Sequence, residues 1–239
     1  MQVKCRNCGT VLKDKYCPHC GQSVEFKEIT WAYCIDELIL NNLKQHKGLL
    51  FTIKRLISNP KRVIFDYLEG KRVVYTGAMQ FLLFVIVFRS LIGLLLGKTE
   101  SEPSKNMIIN IARTKLNLIE YRKALIILFT LFSSLGSSLV YRIRKLSIAK
   151  HFYVNSYIIG ISLLLLSLVN IVTLYKYQSI SIYCFPLFVV SFYIRIFKGD
   201  NLRIMDILKG LWCFIISMAI VLAVLLLITL GFTYFLKLY

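Results

Sequence analysis

The chain has 239 residues, 57% of them hydrophobic, with a mean hydropathy of +0.65. Thirty Lys and Arg against 12 Asp and Glu give a formal charge of +18. This composition excludes an ordinary soluble domain, and sparse Gly and Pro exclude a low-complexity chain. It reads instead as an all-α polytopic membrane protein, whose cations face anionic lipid and set orientation rather than bind nucleic acid.

The first element, residues 1–24, contains "KCRNCGTVLKDKYCPHCGQ". Cys5-x-x-Cys8 and Cys17-x-x-Cys20 stand eight residues apart, and Gly9 and Gly21 follow them. Each pair turns two thiolates to one side, and a glycine behind it lets the backbone take positive φ. Two such knuckles supply the four soft ligands of a structural zinc site, a zinc ribbon. Four Cys leave no open coordination position, so the metal is read as structural and not catalytic. Rubredoxin-like iron and disulfides are the alternatives. Disulfides fit less well because residues 1–28 hold no apolar export core, which places the N-terminus in the cytosol. His19 is read as a bystander. Some 20 residues cannot form a sufficient apolar core, so metal supplies the folding energy.

Residues 25–74 read as amphipathic, interfacial helices. From Trp31 the helical spacing picks out Trp31, Cys34, Ile35, Leu38, Ile39 and Leu43, with Asp36 and Glu37 off the stripe. A short helix is expected over Leu49–Ile57, with Lys54 and Arg55 on its polar side. In "SNPKRVIFDYLEGKR", Asn59 suits the cap, Pro60 the first helical position and Gly70 the stop, while Val63, Ile64, Tyr67 and Leu68 share a face. These helices suit the headgroup layer, with packing on the body as the alternative.

Residues 75–239 are expected to cross the bilayer about five times, at about 76–96, 124–141, 152–175, 179–197 and 211–236. Arg89 interrupts the first span at a cost of about 2.5–3.5 kcal/mol. Its 13 Leu, Ile, Val and Phe return about 4–8 kcal/mol. Pro186 and Arg195 make the fourth span the weakest, and a re-entrant one is the alternative. With the N-terminus inside, the inner segments hold 21 Lys and Arg and the outer ones 8, in accord with the positive-inside rule. Five crossings then put the C-terminus outside.

Within the spans Arg89 is the candidate for an anion or lipid headgroup, with snorkelling to the surface as its plain alternative. Asn155 and Asn170 suit helix–helix bonding. His46 and His151 fall at predicted interfaces and read as surface residues. Cys34, Cys184 and Cys213 read as small buried apolar groups. No catalytic residue is identified: the spans hold no acidic pair, and there is neither a serine-nucleophile motif nor a phosphate loop.

The order "CRNCG…YCPHCGQ", then "NPKRVIFDYLEGKRVVY", then apolar spans resembles a bacterial family of membrane proteins of unknown function with an N-terminal zinc ribbon. The resemblance covers about residues 4–90. Its P…Y-x-x-GKR-x-x-Y block falls here on Pro60, Tyr67, Gly70, Lys71, Arg72 and Tyr75. Family members often carry proline three residues after that last tyrosine, where this chain has Ala78. The resemblance implies a bacterial inner-membrane location and a zinc-binding head, and no activity. Lys71 and Arg72, at the end of the last interfacial helix, are candidates for lipid phosphate or another anion. The expectation is therefore a non-enzymatic membrane protein whose cytosolic zinc ribbon binds a protein partner, scaffolds or senses. A transporter or channel for a small or anionic solute is the second reading, and a lipid-acting enzyme the third.

Overall fold

The computed structural model describes residues 3–12, 14–39, 48–95, 118–141, 146–172, 178–199 and 202–238. Among them there are eight helices, and no strand beyond the isolated antiparallel bridges Lys4–Val11 and Tyr16–Ser23. His46, most of the outer segment 98–123, and Arg142, Arg144 and Lys145 lie outside the described residues.

Helix α1 (Trp31–Ile39) starts at Thr30, whose hydroxyl accepts the Tyr33 amide at 3.2 Å. Its stripe does not face one way. Cys34 is buried, but Trp31, Ile35 and Leu38 are exposed, and the off-stripe Glu37 is inside at 3% exposure. Periodicity reports that a helix has two faces; which neighbour each face meets depends on where donors for the Glu37 carboxylate lie. Helices α2 (Leu49–Ser58) and α3 (Pro60–Leu68) form where the sequence signals put them. The Asn59 side chain accepts the Arg62 amide at 3.2 Å, Pro60 opens α3, and Val63, Ile64 and Tyr67 are buried. Arg195 donates to the carbonyls of Ile57 and Ser58 at 2.6 and 2.8 Å, satisfying the C-terminal end of α2.

Five longer helices follow: α4 (Ala78–Leu95), α5 (Leu118–Val140), α6 (Ile148–Val172), α7 (Gln178–Phe197) and α8 (Ile204–Leu238). They coincide with the five expected apolar segments, and α5, α6 and α8 begin four to seven residues earlier than hydropathy suggests. Polar first turns continue a helix without adding to its apolar run. Of the five, Ile148–Val172 and Ile204–Val224 are long and apolar enough to cross a membrane. The apolar stretches of the other three are shorter, at 78–92, 125–140 and 183–197. At 1.5 Å per residue, the 25 residues of α6 span about 37 Å, against about 30 Å of hydrocarbon. Helix α7 runs unbroken through Pro186.

Helix α6 lies at the centre, packed on α4, α5 and α7, while α8 closes the far side against α5 and α7. Gly160 brings α6 close to α4: a Cβ there would lie 2.9 Å from the Phe81 ring. The polar residues of α6 point inward. Asn155 donates to the Ser137 hydroxyl at 2.8 Å and accepts from the Tyr193 hydroxyl at 2.6 Å. His151, expected at the surface, is instead buried at 1% exposure, with its Nδ1 3.1 Å from Ser137 Oγ. The helix reaches back to Ile148, which carries His151 one turn into the bundle, where Ser137 meets its ring nitrogen.

Candidate functional site

The head is built twice from one local pattern. The Cys5 amide donates to the Thr10 carbonyl at 2.8 Å, and the Gly9 amide to the Cys5 carbonyl at 2.9 Å. Cys17 and Gln22, then Gly21 and Cys17, repeat these bonds at 2.8 and 2.9 Å. Gly9 (φ +78°) and Gly21 (φ +72°) turn the backbone through a region that other residues rarely adopt. Nothing lies within 4 Å of an added Cβ at either, so backbone angle and not space calls for glycine.

These turns bring Cys5, Cys8, Cys17 and Cys20 together, with their sulfurs all within 4.8 Å of one another. Cys8 Sγ lies 3.5 Å from Cys17 Sγ, and Cys5 Sγ 3.6 Å from Cys20 Sγ. A zinc tetrathiolate with Zn–S about 2.3 Å places its sulfurs about 3.8 Å apart, so the tetrad fits that geometry. Four Cys in this arrangement can hold one metal ion, and the donor set is consistent with zinc. The Thr10 hydroxyl, 3.2 Å from Cys8 Sγ, and the Thr10 amide pull the Cys8 thiol down to about 5. Burial pushes Cys20 up to about 11. His19 is exposed and outside the tetrad.

Behind the tetrad, the head is fastened to the helical body through the GKR block. Gly70 (φ +105°) ends α3, and a Cβ there would lie 3.0 Å from the Phe26 ring and 3.1 Å from the Arg6 side chain. Phe26 is flanked by two cations: the Arg6 guanidinium lies 3.9 Å from its centroid and that of Arg72 5.2 Å. Arg72 also donates to the Lys27 carbonyl at 2.6 Å, and its amide to the Gln22 side chain at 3.3 Å. On its other side, its guanidinium lies 4.6 Å from the Tyr33 ring and 5.4 Å from that of Tyr67. One arginine thus touches the end of the head, α1 and α3.

Lys71 Nζ lies 2.6 Å from Asp66 Oδ1, a contact that holds its ammonium above the usual lysine range. The other Asp66 oxygen accepts from the Tyr75 hydroxyl at 3.2 Å and lies 3.6 Å from Arg62 Nε. The structure therefore brings Lys71 and Arg72 into one joint, with existing partners, and places Arg89 apart from it, half-buried on α4. Asp66, Phe26 and Tyr33 belong to this region and were not singled out in the sequence, and Glu37 was read there only as a polar residue off the α1 stripe. Asp66 carried one usable signal: it is the single acid on α3 and stands five residues before Lys71. Phe26 and Tyr33 carried none, since a lone aromatic residue is compatible with any apolar contact.

Among known proteins, a family described as a protein of unknown function (DUF3667) matches residues 47–89. The match contains α2, α3, the GKR block and part of α4, and the cysteine head lies outside it. No curated protein and no solved structure matches the chain.

Proposed function

We propose that this chain is a multi-pass protein of the bacterial inner membrane. Its zinc-holding head stands on the cytosolic side, built into the helical body as a scaffold and sensing element for a cytosolic protein partner. The observation that carries this reading is the Arg72 joint, which grips Gln22 of the head, Lys27 just after it and the rings of Tyr33 and Tyr67 in the body. A head that merely displayed a binding surface needs only a linker. This one is fastened where α3 turns towards α4, so a change at the metal reaches the first apolar helix.

The orientation draws on the lysine and arginine bias and on a thiolate site suited to a reducing compartment. The exposed Trp31, Ile35 and Leu38 of α1, and Leu50, Phe51 and Ile57 of α2, suit the headgroup layer beside Lys54 and Arg55. These two cations are offered to lipid phosphate, while Lys71 and Arg72, with Arg62 beside Asp66, hold the joint.

The test is purification from membranes of the wild-type chain and of Cys8→Ser/Cys17→Ser and Phe26→Ala variants, each with metal analysis, limited proteolysis and cross-linking to cytosolic protein. The wild type is expected to carry one zinc per chain. The double Cys variant should lose the metal and the cross-linked partner and open residues 60–76 to protease while still inserting. Phe26→Ala should keep the metal and open the same segment. A wild-type chain with neither zinc nor iron, or a metal-free variant with unchanged cleavage at 60–76, sinks the reading. A transporter is the second reading, and the buried Ser137–His151–Asn155–Tyr193 row favours it; altered liposome solute flux in Asn155→Ala would speak for it.

A further inference from the structure

Where α7 ends against the α2–α3 junction, positive charge collects without an acid beside it. Arg195, in the last turn of α7, uses one guanidinium nitrogen, Nη2, to donate to the carbonyls of Ile57 and Ser58. Lys61, in the first turn of α3, donates its Nζ to the Lys198 carbonyl at 3.1 Å. A cation from each side thus closes the carbonyl end of the other side's helix. Lys198 offers its carbonyl to this clasp, and its ammonium has no hydrogen-bond or ion-pair partner among the described residues.

Carbonyls satisfy donors but carry no net charge. Lys61, Arg195 and Lys198 are half-buried, and the ion pairs among the described residues go to Asp66, from Arg62 and Lys71. Like charges partly withdrawn from water repel one another, and Lys61 also stands at the positive end of α3. One anion at this corner relieves all three. Arg195 keeps its remaining guanidinium N–H groups for it, and the two lysines keep further ammonium protons.

The same side of α7 continues as an apolar surface. Phe188 stands seven residues before Arg195, two turns away and on the same face. With Leu165, Leu168, Val169 and Val172 of α6 it lines an open, wholly apolar groove of about 310 Å³. Leu187 beside it is 68% exposed. Seven residues of helix rise about 10 Å, within the roughly 15 Å of hydrocarbon in one leaflet. We propose that this corner binds one anionic glycerophospholipid, with its phosphate on Lys61, Arg195 and Lys198 and an acyl chain laid along α7 into the groove at Phe188. The inference rests on the membrane reading above and goes beyond it. Lys54 and Arg55 face the headgroup layer at large, whereas this corner joins three uncompensated cations to an apolar groove. A phosphate held there bridges α3 and α7, and so steadies the helix pair that carries the GKR block. A zwitterionic lipid brings its own cation and gains less.

The test is native mass spectrometry of the full chain, purified from membranes in mild detergent and titrated with phosphatidylglycerol or phosphatidylcholine. One phosphatidylglycerol is expected to bind, more tightly than phosphatidylcholine. Lys198→Gln breaks no bond among the described residues, so the fold is kept, and affinity should fall about fivefold. Leu168→Trp fills the groove without changing charge and should also weaken binding. Lys15→Gln removes the same charge from the exposed face of the head and should leave binding unchanged. Equal binding of the two lipids, unchanged affinity in Lys198→Gln, or an equal loss in Lys15→Gln overturns the inference. Displacement of the lipid by inorganic phosphate alone assigns the corner to a soluble anion and overturns it too. Recovery of the chain outside the membrane fraction overturns the membrane reading together with this site, whereas a membrane-bound chain without the lipid preference overturns the site alone.

Discussion

Helices α6 and α8 read alike in sequence and behave differently in the fold. Their apolar windows have mean hydropathies of 1.9 and 2.4, yet 78% of the first is buried inside the protein and 22% of the second. Helix α6 carries His151, Asn155, Ser156, Ser162, Ser167 and Asn170, all buried. Ser156, Ser162 and Ser167 return their hydroxyls to carbonyls four residues back, at 2.7 to 2.8 Å. Asn155 and His151 instead use side chains on α5 and α7 as partners. Among the described side chains of α8, burial is confined mainly to a stripe of Gly210, Cys213, Ser217 and Val221, while Leu211, Trp212, Ile215, Leu222 and Leu226 face outward. The difference teaches that hydropathy ranks a helix by its dislike of water. Buried polar groups that need partners, and small residues that admit a neighbour, mark the helix at the centre.

The comparison can be broken most forcefully at Gly160. Gly160→Val drives a side chain into the Phe81 ring, and a loss of about 3 kcal/mol or more is expected. Ala223→Val on the outer face of α8 should leave thermal unfolding of the purified chain unchanged. Equal losses at both sites would erase the distinction.

Next in size is a pH effect centred on Glu37, whose carboxyl accepts from the Tyr153 hydroxyl of α6, with no counterpart on the described outer face of α8. A carboxyl that burial raises from 4.5 to about 7 binds its proton more tightly in the folded chain. Stability is then complete below about pH 4.5 and falls by about 3 kcal/mol as pH rises to about 7, with no further change from this group above that. Denaturant unfolding across that interval should show the slope in the wild type and lose it in Glu37→Gln.

Asn155→Leu comes third. It removes the 2.6 Å acceptor of the Tyr193 hydroxyl and a donor to Ser137, with an expected loss of about 1–3 kcal/mol. Leu222→Ala, on α8, is the smallest, within about 0.5 kcal/mol. A cysteine at Leu222 sharpens the contrast further. In membranes it should resist a water-soluble thiol reagent, whereas one at the exposed Tyr16 of the head should react. Ready labelling at Leu222 would remove the outer face of α8 from lipid.

Much of this protein was legible in the chain itself. Two C-x-x-C-G repeats specified the tetrad because the chemistry lies within a few residues and needs only local turns. Asn59, Pro60 and Gly70 specified the limits of α3 for the same reason: caps and stops act on their own backbone. The five long helices followed from apolar run length. The tertiary structure alone decided that Glu37 goes inside while Ile35 stays out, that His151 is buried, that Arg72 joins the head to α1 and α3, and that α6 rather than α8 is central. Each of these depends on a partner distant in sequence, such as Met79 and Tyr153 for Glu37 or Gln22 and Lys27 for Arg72. A residue's own type and spacing state what it needs, and only the assembled neighbours determine whether that need is met.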